Sequence, residues 1–476
     1  MPEKLKSSVG LPPSATRVER DSLGPLEVPA DAYYGVQTAR AVANFPISGE
    51  RLHPEMVRAV ARIKLAAARA NAELGELDAK KAEAIAAAAE EILAGKHDAQ
   101  FVVDAYQAGA GTSFHMNVNE VIANRACELM GGKRGEHTLI HPNDHVNMAQ
   151  STNDVIPTAM RLAAHSLAGT LIEEMVALAG SLGNKAREFA EVLKSGRTHL
   201  QDAVPVTLGQ EFSGYQECVL GWSESLKRSR DGLLALGLGG NAAGTGINAH
   251  PQYRERAVAN LARLTSAPFH PATNLFEAMQ SMAPFVRVSS DLRGFALDLT
   301  RIANDLRLLA SGPTTGFDEI VLPAVQPGSS IMPGEVNPVI AEMTNMVCFQ
   351  VLGYDATVAY AAQAGQLELN VMMPVLAHNL LRSLALLSPT LQTLRVKCID
   401  GIAANEAVCR GYFDRSISLA TALNPIIGYA RAAEVAKEAA KTGKTVVEIV
   451  REKKLLTEEQ IANVFSPEGM THPSGR

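Results

Sequence analysis

Four polar segments carry most of the residues in this chain that could move protons or bind anions. The richest is Gly328-Ser329-Ser330-Ile331-Met332-Pro333-Gly334-Glu335-Val336-Asn337-Pro338, with Glu342 four residues further on. Its two glycines and Pro333 set a defined irregular turn. Asn337-Pro338 has the form of an N-cap and first helical residue, for a helix running through Val347. A loop hung from a helix suits a catalytic lid, and a capped turn with exposed serines has the same sequence. Next is Gln150-Ser151-Thr152-Asn153-Asp154, ahead of Pro157 and a helical run. Hydroxyls and an amide at a helix N-terminus bind carboxylates, and they equally serve as caps. In Ser195-Gly196-Arg197-Thr198-His199-Leu200-Gln201-Asp202, Arg197 can pair with Asp202. His199 there can be a general acid, a ligand or a buried histidine. Gly109-Ala110-Gly111-Thr112-Ser113 with Met116-Asn117-Val118-Asn119-Glu120 reads alone as a tight turn with polar caps.

The elements that must position these loops are helices. Leu171, Met175, Leu178 and Leu182 recur at helical spacing, as do Leu292, Phe295, Leu299, Ile302, Leu306 and Leu309, and Leu384, Leu387, Leu391 and Leu394. Such stripes bury one another most simply as a bundle. Pro374 and Pro389 are each expected to kink or interrupt a helix. Thr445–Lys454 and Thr457–Phe465 read as short amphipathic helices, with Thr457, Glu459 and Gln460 marking a start. The expected fold class is all-α, mainly. At 476 residues the chain allows about three domains. A 47% apolar and 20% charged composition with net charge −6 is that of an ordinary globular chain and offers no attraction to nucleic acid. No apolar run is expected to reach the roughly 18 residues of a membrane span. The N-terminal stretch through Thr16 reads as a disordered tail rather than a signal peptide. Cys127, Cys218, Cys348, Cys398 and Cys409 are odd in number and lack C-x-x-C spacing. A disulfide framework or structural zinc is therefore not expected, and a reducing cytoplasm is.

In order and spacing the four loops resemble the aspartase/fumarase superfamily, from about Arg17 to Pro473. The superfamily signature G-S-x-x-M-x-x-K-x-N falls on Gly328, Ser329, Met332, Glu335 and Asn337, with one mismatch at Glu335. Arg20 to Gly35, Tyr106 to Ser113, and Ser151 to Asp154 are most similar to aspartate ammonia-lyases. Fumarases look alike but usually carry Trp-Gly for Tyr34-Gly35 and S-S-N-D for the last segment. The resemblance implies a β-elimination that takes ammonia from L-aspartate and leaves fumarate, through a doubly charged aci-carboxylate. Fumarate hydration is the alternative reaction. It implies Ser329 as the base, with Thr112, Ser151, Thr152 and Asn153 around the substrate carboxylate. Thr198 and His199 would contact substrate, and Glu342 would partner that histidine. It implies no metal or cofactor. It also implies a homotetramer with a twenty-helix core and sites shared between subunits. The implied division is a tail over 1–16, an N-terminal helical domain over 17–151, a central bundle over 152–405 and a small helical domain over 406–476.

Two residues depart from the pattern. Glu335 stands where the family has a lysine that would hold a substrate carboxylate. At about 4 Å and an effective dielectric near 20, such a pair is worth about 4 kcal/mol. Three readings follow: an impaired or non-catalytic member, a substrate with no carboxylate or with a cation at that point, or a charge balance restored by another group. His115 stands where the family usually has Asn. A protonated His115 facing Glu335 is one expectation for that balance, and a packing histidine is the other.

Overall fold

A computed structural model describes residues 15–473. The tail expected over 1–16 lies outside the described residues except for its last two, and Thr16 opens a strand. Helices dominate, as the apolar spacing requires: α1 (Val36–Asn44), α2 (Pro54–Glu73), α3 (Ala79–Leu93), α4 (Thr112–Leu129), α5 (Thr152–Glu188), α6 (Leu208–Asp231), α7 (Tyr253–Thr265), α8 (Leu275–Gln280), α9 (Ala283–Leu309), α10 (Val339–Gln363), α11 (Met373–Lys397) and α12 (Glu406–Arg415). Short helices follow between Asn424 and Thr471. All three leucine-rich stripes are buried along their length. Pro374 sits at the start of α11, whereas Pro389 lies inside it without ending it.

One expectation is corrected here. The α5 helix contains an 18-residue window of mean hydropathy 1.3, so by length and composition it passes for a membrane span. Half of that window is buried inside the protein, and its first turn carries Thr152, Asn153 and Asp154. A core helix explains both.

The chain forms two compact units. One holds residues up to Gly169 with Leu226–Leu292 and Leu352–Ala385; the other holds Thr170–Ser225, Arg293–Val351 and the residues from Leu386 on. In the first, alanine-rich α2 packs on α3 and α7. Ala59, Ala61, Ala66, Ala67 and Ala70 are buried, and small side chains let helix backbones approach closely. A hairpin of β1 (Thr16–Asp21) and β2 (Gly24–Pro29) precedes α1. The buried Glu120 carboxylate on α4 accepts the backbone N–H groups of Gly35, Gln37 and Thr38, tying the start of α1 to α4.

In the second unit, β3 (Leu193–Thr198) and β4 (Gln201–Thr207) form an antiparallel hairpin. The segment Ser195–Gln201, read from sequence as a loop, is its tip and flank. The β-branched Val204, Val206 and Thr207 favour the extended form. A separate C-terminal core gathers Leu193, Phe413, Leu419, Leu423, Val435, Ile449, Val450 and Ile461. Capping boxes at Thr445/Glu448 and Thr457/Gln460 start two of its helices.

Candidate active site

The first unit brings the starts of α4 and α5 together. The turn before α4 holds Ala110 at φ 62° and Gly111 at φ 87°, and Ala110 N–H donates to Val371 O at 2.8 Å. A non-glycine residue in the left-handed region costs about 1–2 kcal/mol, and such strain clusters at functional sites. Gln107 Oε1 caps the new helix by accepting from Phe114 N–H at 2.7 Å. Thr112 is exposed at its first position. One turn on, His115 is 1% exposed, and its Nδ1 lies 2.7 Å from Thr152 Oγ1 at the start of α5.

The start of α5 is built as an anion pocket would be. Ser151 Oγ accepts from Asn153 N–H at 3.2 Å, the capping role weighed for this segment. Asn153 Nδ2 donates to Ala242 O at 2.8 Å. Asp154 is fully buried and accepts three backbone N–H groups, from Ser151 at 2.9 Å, Gly239 at 3.0 Å and Asn241 at 2.9 Å. It thereby clamps the loop holding Gly239 and Asn241 to the helix start. Burial pushes its carboxyl up to about 6, against the pull of those N–H groups and of Lys64. Ser151, Thr152 and Asn153 stay partly exposed, so their polar groups remain open to an incoming carboxylate at the positive end of the helix.

The second unit holds the other two segments. Ser329 Oγ accepts two backbone N–H groups, from Ile331 at 3.2 Å and Met332 at 3.1 Å. Such a cradle stabilises negative charge on that oxygen. The loop closes on itself: Gly328 N–H donates to Glu335 O at 2.8 Å, and Asn337 Nδ2 donates to Gly328 O at 2.7 Å. A Cβ at Gly328 would meet Glu335 O at 2.7 Å, so glycine is required there. Asn337 therefore braces the loop through its Nδ2, and among the described residues no backbone N–H of α10 donates to its Oδ1, so it does not cap the helix. Pro338 O accepts from Glu342 N–H and starts the helix instead. Met332 is 54% exposed. Glu335 is half-buried, and its Oε2 is sheltered without a hydrogen-bond partner.

Thr198 and His199 are exposed at the tip of the β3–β4 hairpin. His199 and Leu200 both have φ 57°, the paired left-handed residues of a type I′ turn. That turn ordinarily takes Asn-Gly, so His-Leu is a strained choice. The hairpin is held from below. Arg197 Nη1 lies 2.8 Å from Glu319 Oε1, and its guanidinium sits 4.3 Å from the Phe317 ring centre. The expected Arg197–Asp202 pair is not made; the two residues face each other across the strands, but the fully buried Glu319 takes the guanidinium. Lys194, also buried, donates to Glu211 at 2.7 Å and lies 2.7 Å from Glu319 Oε2 as an ion-pair contact rather than a directed hydrogen bond.

Two further expectations meet the geometry here. His199 and Glu342 do not pair within the chain; neither side chain has a hydrogen-bond or ion-pair partner among the described residues. The protonated His115 is overturned. Burial and the neighbouring Lys64 hold its imidazole well below the usual histidine value, and both ring nitrogens are already engaged. Lys64, Asn147, Lys194, Glu211 and Glu319 were not singled out from sequence, and Gln150 was named there only as the first residue of its segment. Lys64 alone left a signal: it interrupts the apolar stripe of Val57, Val60, Ala61 and Ala68 on α2.

Comparison with known proteins bears on this arrangement. Residues 24–353 match a family model described as Lyase, and residues 419–472 one described as Fumarase C C-terminus. An aspartate ammonia-lyase from Helicobacter pylori is 49% identical over 459 residues, covering 96% of this chain and 98% of that protein. A class II fumarate hydratase from Halobacterium salinarum is 51% identical over 457 residues, covering 96% and 97%. Among solved structures, a fumarate lyase:delta crystallin from Brucella melitensis aligns with TM-score 0.92 at 49% identity, covering 96% of this chain and all of that one. A class II fumarase from Schistosoma mansoni aligns with TM-score 0.93 at 39% identity, covering 97% and 100%. With a matched lyase model over most of its length and near-full-length relatives of this identity, the chain belongs to the aspartase/fumarase superfamily of lyases.

Proposed function

We propose that this lyase removes ammonia from L-aspartate to give fumarate. The observation that carries the reading is the Ser329 cradle, where two backbone N–H groups point at the hydroxyl oxygen. Ser329, as its alkoxide, takes the proton from carbon 3 and becomes a neutral hydroxyl. The electron pair first builds charge on the adjacent carboxylate, as an aci-carboxylate. It then closes the C2–C3 double bond as ammonia leaves carbon 2 with its bonding pair. Donors aimed where the charge develops lower that barrier, and Thr112, Ser151, Thr152 and Asn153 are of the right types. His199 would then touch substrate, and Glu342 would orient a histidine from another copy of the chain. A homotetramer with shared sites fits the lone His199 and Glu342. It also fits the large apolar side chains left exposed on the long helices, such as Met346, Phe349 and Tyr360 on α10.

Fumarate hydration is the second reading, supported by the Halobacterium salinarum relative. Tyr34-Gly35 and the S-T-N-D segment favour deamination over it. The test is fumarate formation, followed by ultraviolet absorbance, with L-aspartate and with L-malate as substrates. Turnover of aspartate that Ser329→Ala abolishes supports the reading. Turnover of malate alone would replace it with the hydratase. Loss of neither substrate's turnover in Ser329→Ala would remove the serine as base.

A further inference from the structure

A buried polar cluster lies behind the start of α5, and the reaction as drawn makes no use of it. Lys64 on α2 is fully buried. Its Nζ lies 2.8 Å from Asn147 Oδ1, 2.9 Å from Gln150 Oε1 and 2.8 Å from His115 Nε2. Other bonds orient the two amides: Asn147 Nδ2 donates to Gln150 O at 3.2 Å, and Gln150 Nε2 donates to Met148 O at 3.0 Å. Both amide oxygens therefore face the lysine. With His115 they make three acceptors for the three N–H bonds of an ammonium. Nε2 then accepts, the ring proton sits on Nδ1, and Nδ1–H donates to Thr152 Oγ1 at 2.7 Å. The threonine oxygen, already accepting, must send its own hydrogen elsewhere. No other protein acceptor takes it among the described residues, and Thr152 is partly exposed.

We propose that Lys64 and His115 are positioning residues that hold the Thr152 hydroxyl as a hydrogen-bond donor to the substrate carboxylate. This rests on the dicarboxylate reading above. The lysine lends the pocket a positive charge without entering it, and the neutral imidazole passes that polarisation to the hydroxyl. The groups facing His115 are Lys64 from α2, Asn147 and Gln150 from the preceding turn, and Thr152 from α5. Burial pulls Lys64 well below the ordinary lysine value, while Asp154, also on α5, and the three acceptors around Nζ favour its charged form. Burial and the Lys64 charge both oppose imidazolium, so His115 stays neutral at neutral pH.

Two measurements on the full-length protein test this. Ring ¹⁵N resonances of selectively labelled histidine should show His115 as one Nδ1–H tautomer, unchanged between about pH 6 and 8. Calorimetric binding of fumarate and succinate should weaken about tenfold or more in His115→Leu, the loss of one hydrogen bond to a charged group. His115→Asn, whose amide can accept from Lys64 and donate to Thr152, should restore most of that affinity. An imidazolium or Nε2–H signal would overturn the proposal, and this readout stands even where His115→Leu fails to fold. Unchanged fumarate affinity in His115→Leu would overturn the positioning role alone. Absence of fumarate and succinate binding by the unaltered protein would remove the dicarboxylate reading and this role with it.

Discussion

Asp154 permits a quantitative test of the α5 pocket. It is fully buried, and its carboxyl is pushed up to about 6 from the ordinary 3.8 because burial outweighs three backbone N–H donors and Lys64. The shift of about two units corresponds to about 3 kcal/mol between the protonated and ionised forms in the folded state. The folded value lies above the unfolded one, so between about pH 4 and 6 the folded protein holds a proton that the unfolded chain has lost. The stabilisation is fully present below the unfolded value and is lost as pH rises through about 6. At pH 4.5 about 2 kcal/mol of it has returned relative to pH 7.5. With an unfolding entropy near 2 cal/mol/K per residue, a chain of 476 residues shifts in Tm by about 1 °C per kcal/mol. Asp154→Asn cannot titrate. The Tm difference between the protein and Asp154→Asn should therefore move about 2 °C in the protein's favour on going from pH 7.5 to 4.5, read by scanning calorimetry. A difference that stays flat would mean the N–H groups win over burial, with Asp154 ionised throughout. A shift in the opposite direction would refute the same reasoning more strongly.

Glu335→Lys should raise kcat/KM for L-aspartate by about a thousandfold, from the roughly 4 kcal/mol of a carboxylate–ammonium pair at about 4 Å; an unchanged or lower rate in the fumarate assay would count against a carboxylate at that position. Glu319→Gln should cost about 3–5 kcal/mol, because it removes the buried counter-charge of Lys194 and Arg197. Calorimetry should show a Tm lower by a few degrees, and an unaltered Tm would show the cluster to be dispensable. Leu200→Gly should raise stability by about 1 kcal/mol, since Leu200 is 66% exposed and holds φ 57° where glycine pays no steric penalty. A lower Tm in that variant would mean the leucine makes contacts worth more than the strain.

Legibility from sequence divided along range of interaction. The leucine stripes of α5, α9 and α11 and the Thr457 capping box were readable because each depends on residues three or four apart on one helix. The β3–β4 hairpin was not. Its tip lacks the Asn-Gly pair that announces a type I′ turn, and it is held by Glu319, which lies far along the chain. Asn337 misled for a related reason. Before Pro338 it has the form of a cap, yet its Nδ2 donates to Gly328 O to close the loop and its Oδ1 accepts no helix N–H among the described residues. The likeness of α5 to a membrane span arose because a helix buried in protein and a helix buried in lipid share one composition.

The sequence alone determined the helical class, the four polar loops and the superfamily, since motif order and apolar period survive without coordinates. It also exposed Glu335 and His115 as departures. Tertiary structure alone decided what His115 faces. His115 reads as a candidate cation in the sequence and is a neutral link between Lys64 and Thr152 in the fold. Burial sets that outcome, because desolvation and a neighbouring ammonium both act against imidazolium. Neither the depth of a residue nor the charge beside it is written in its immediate neighbours along the chain.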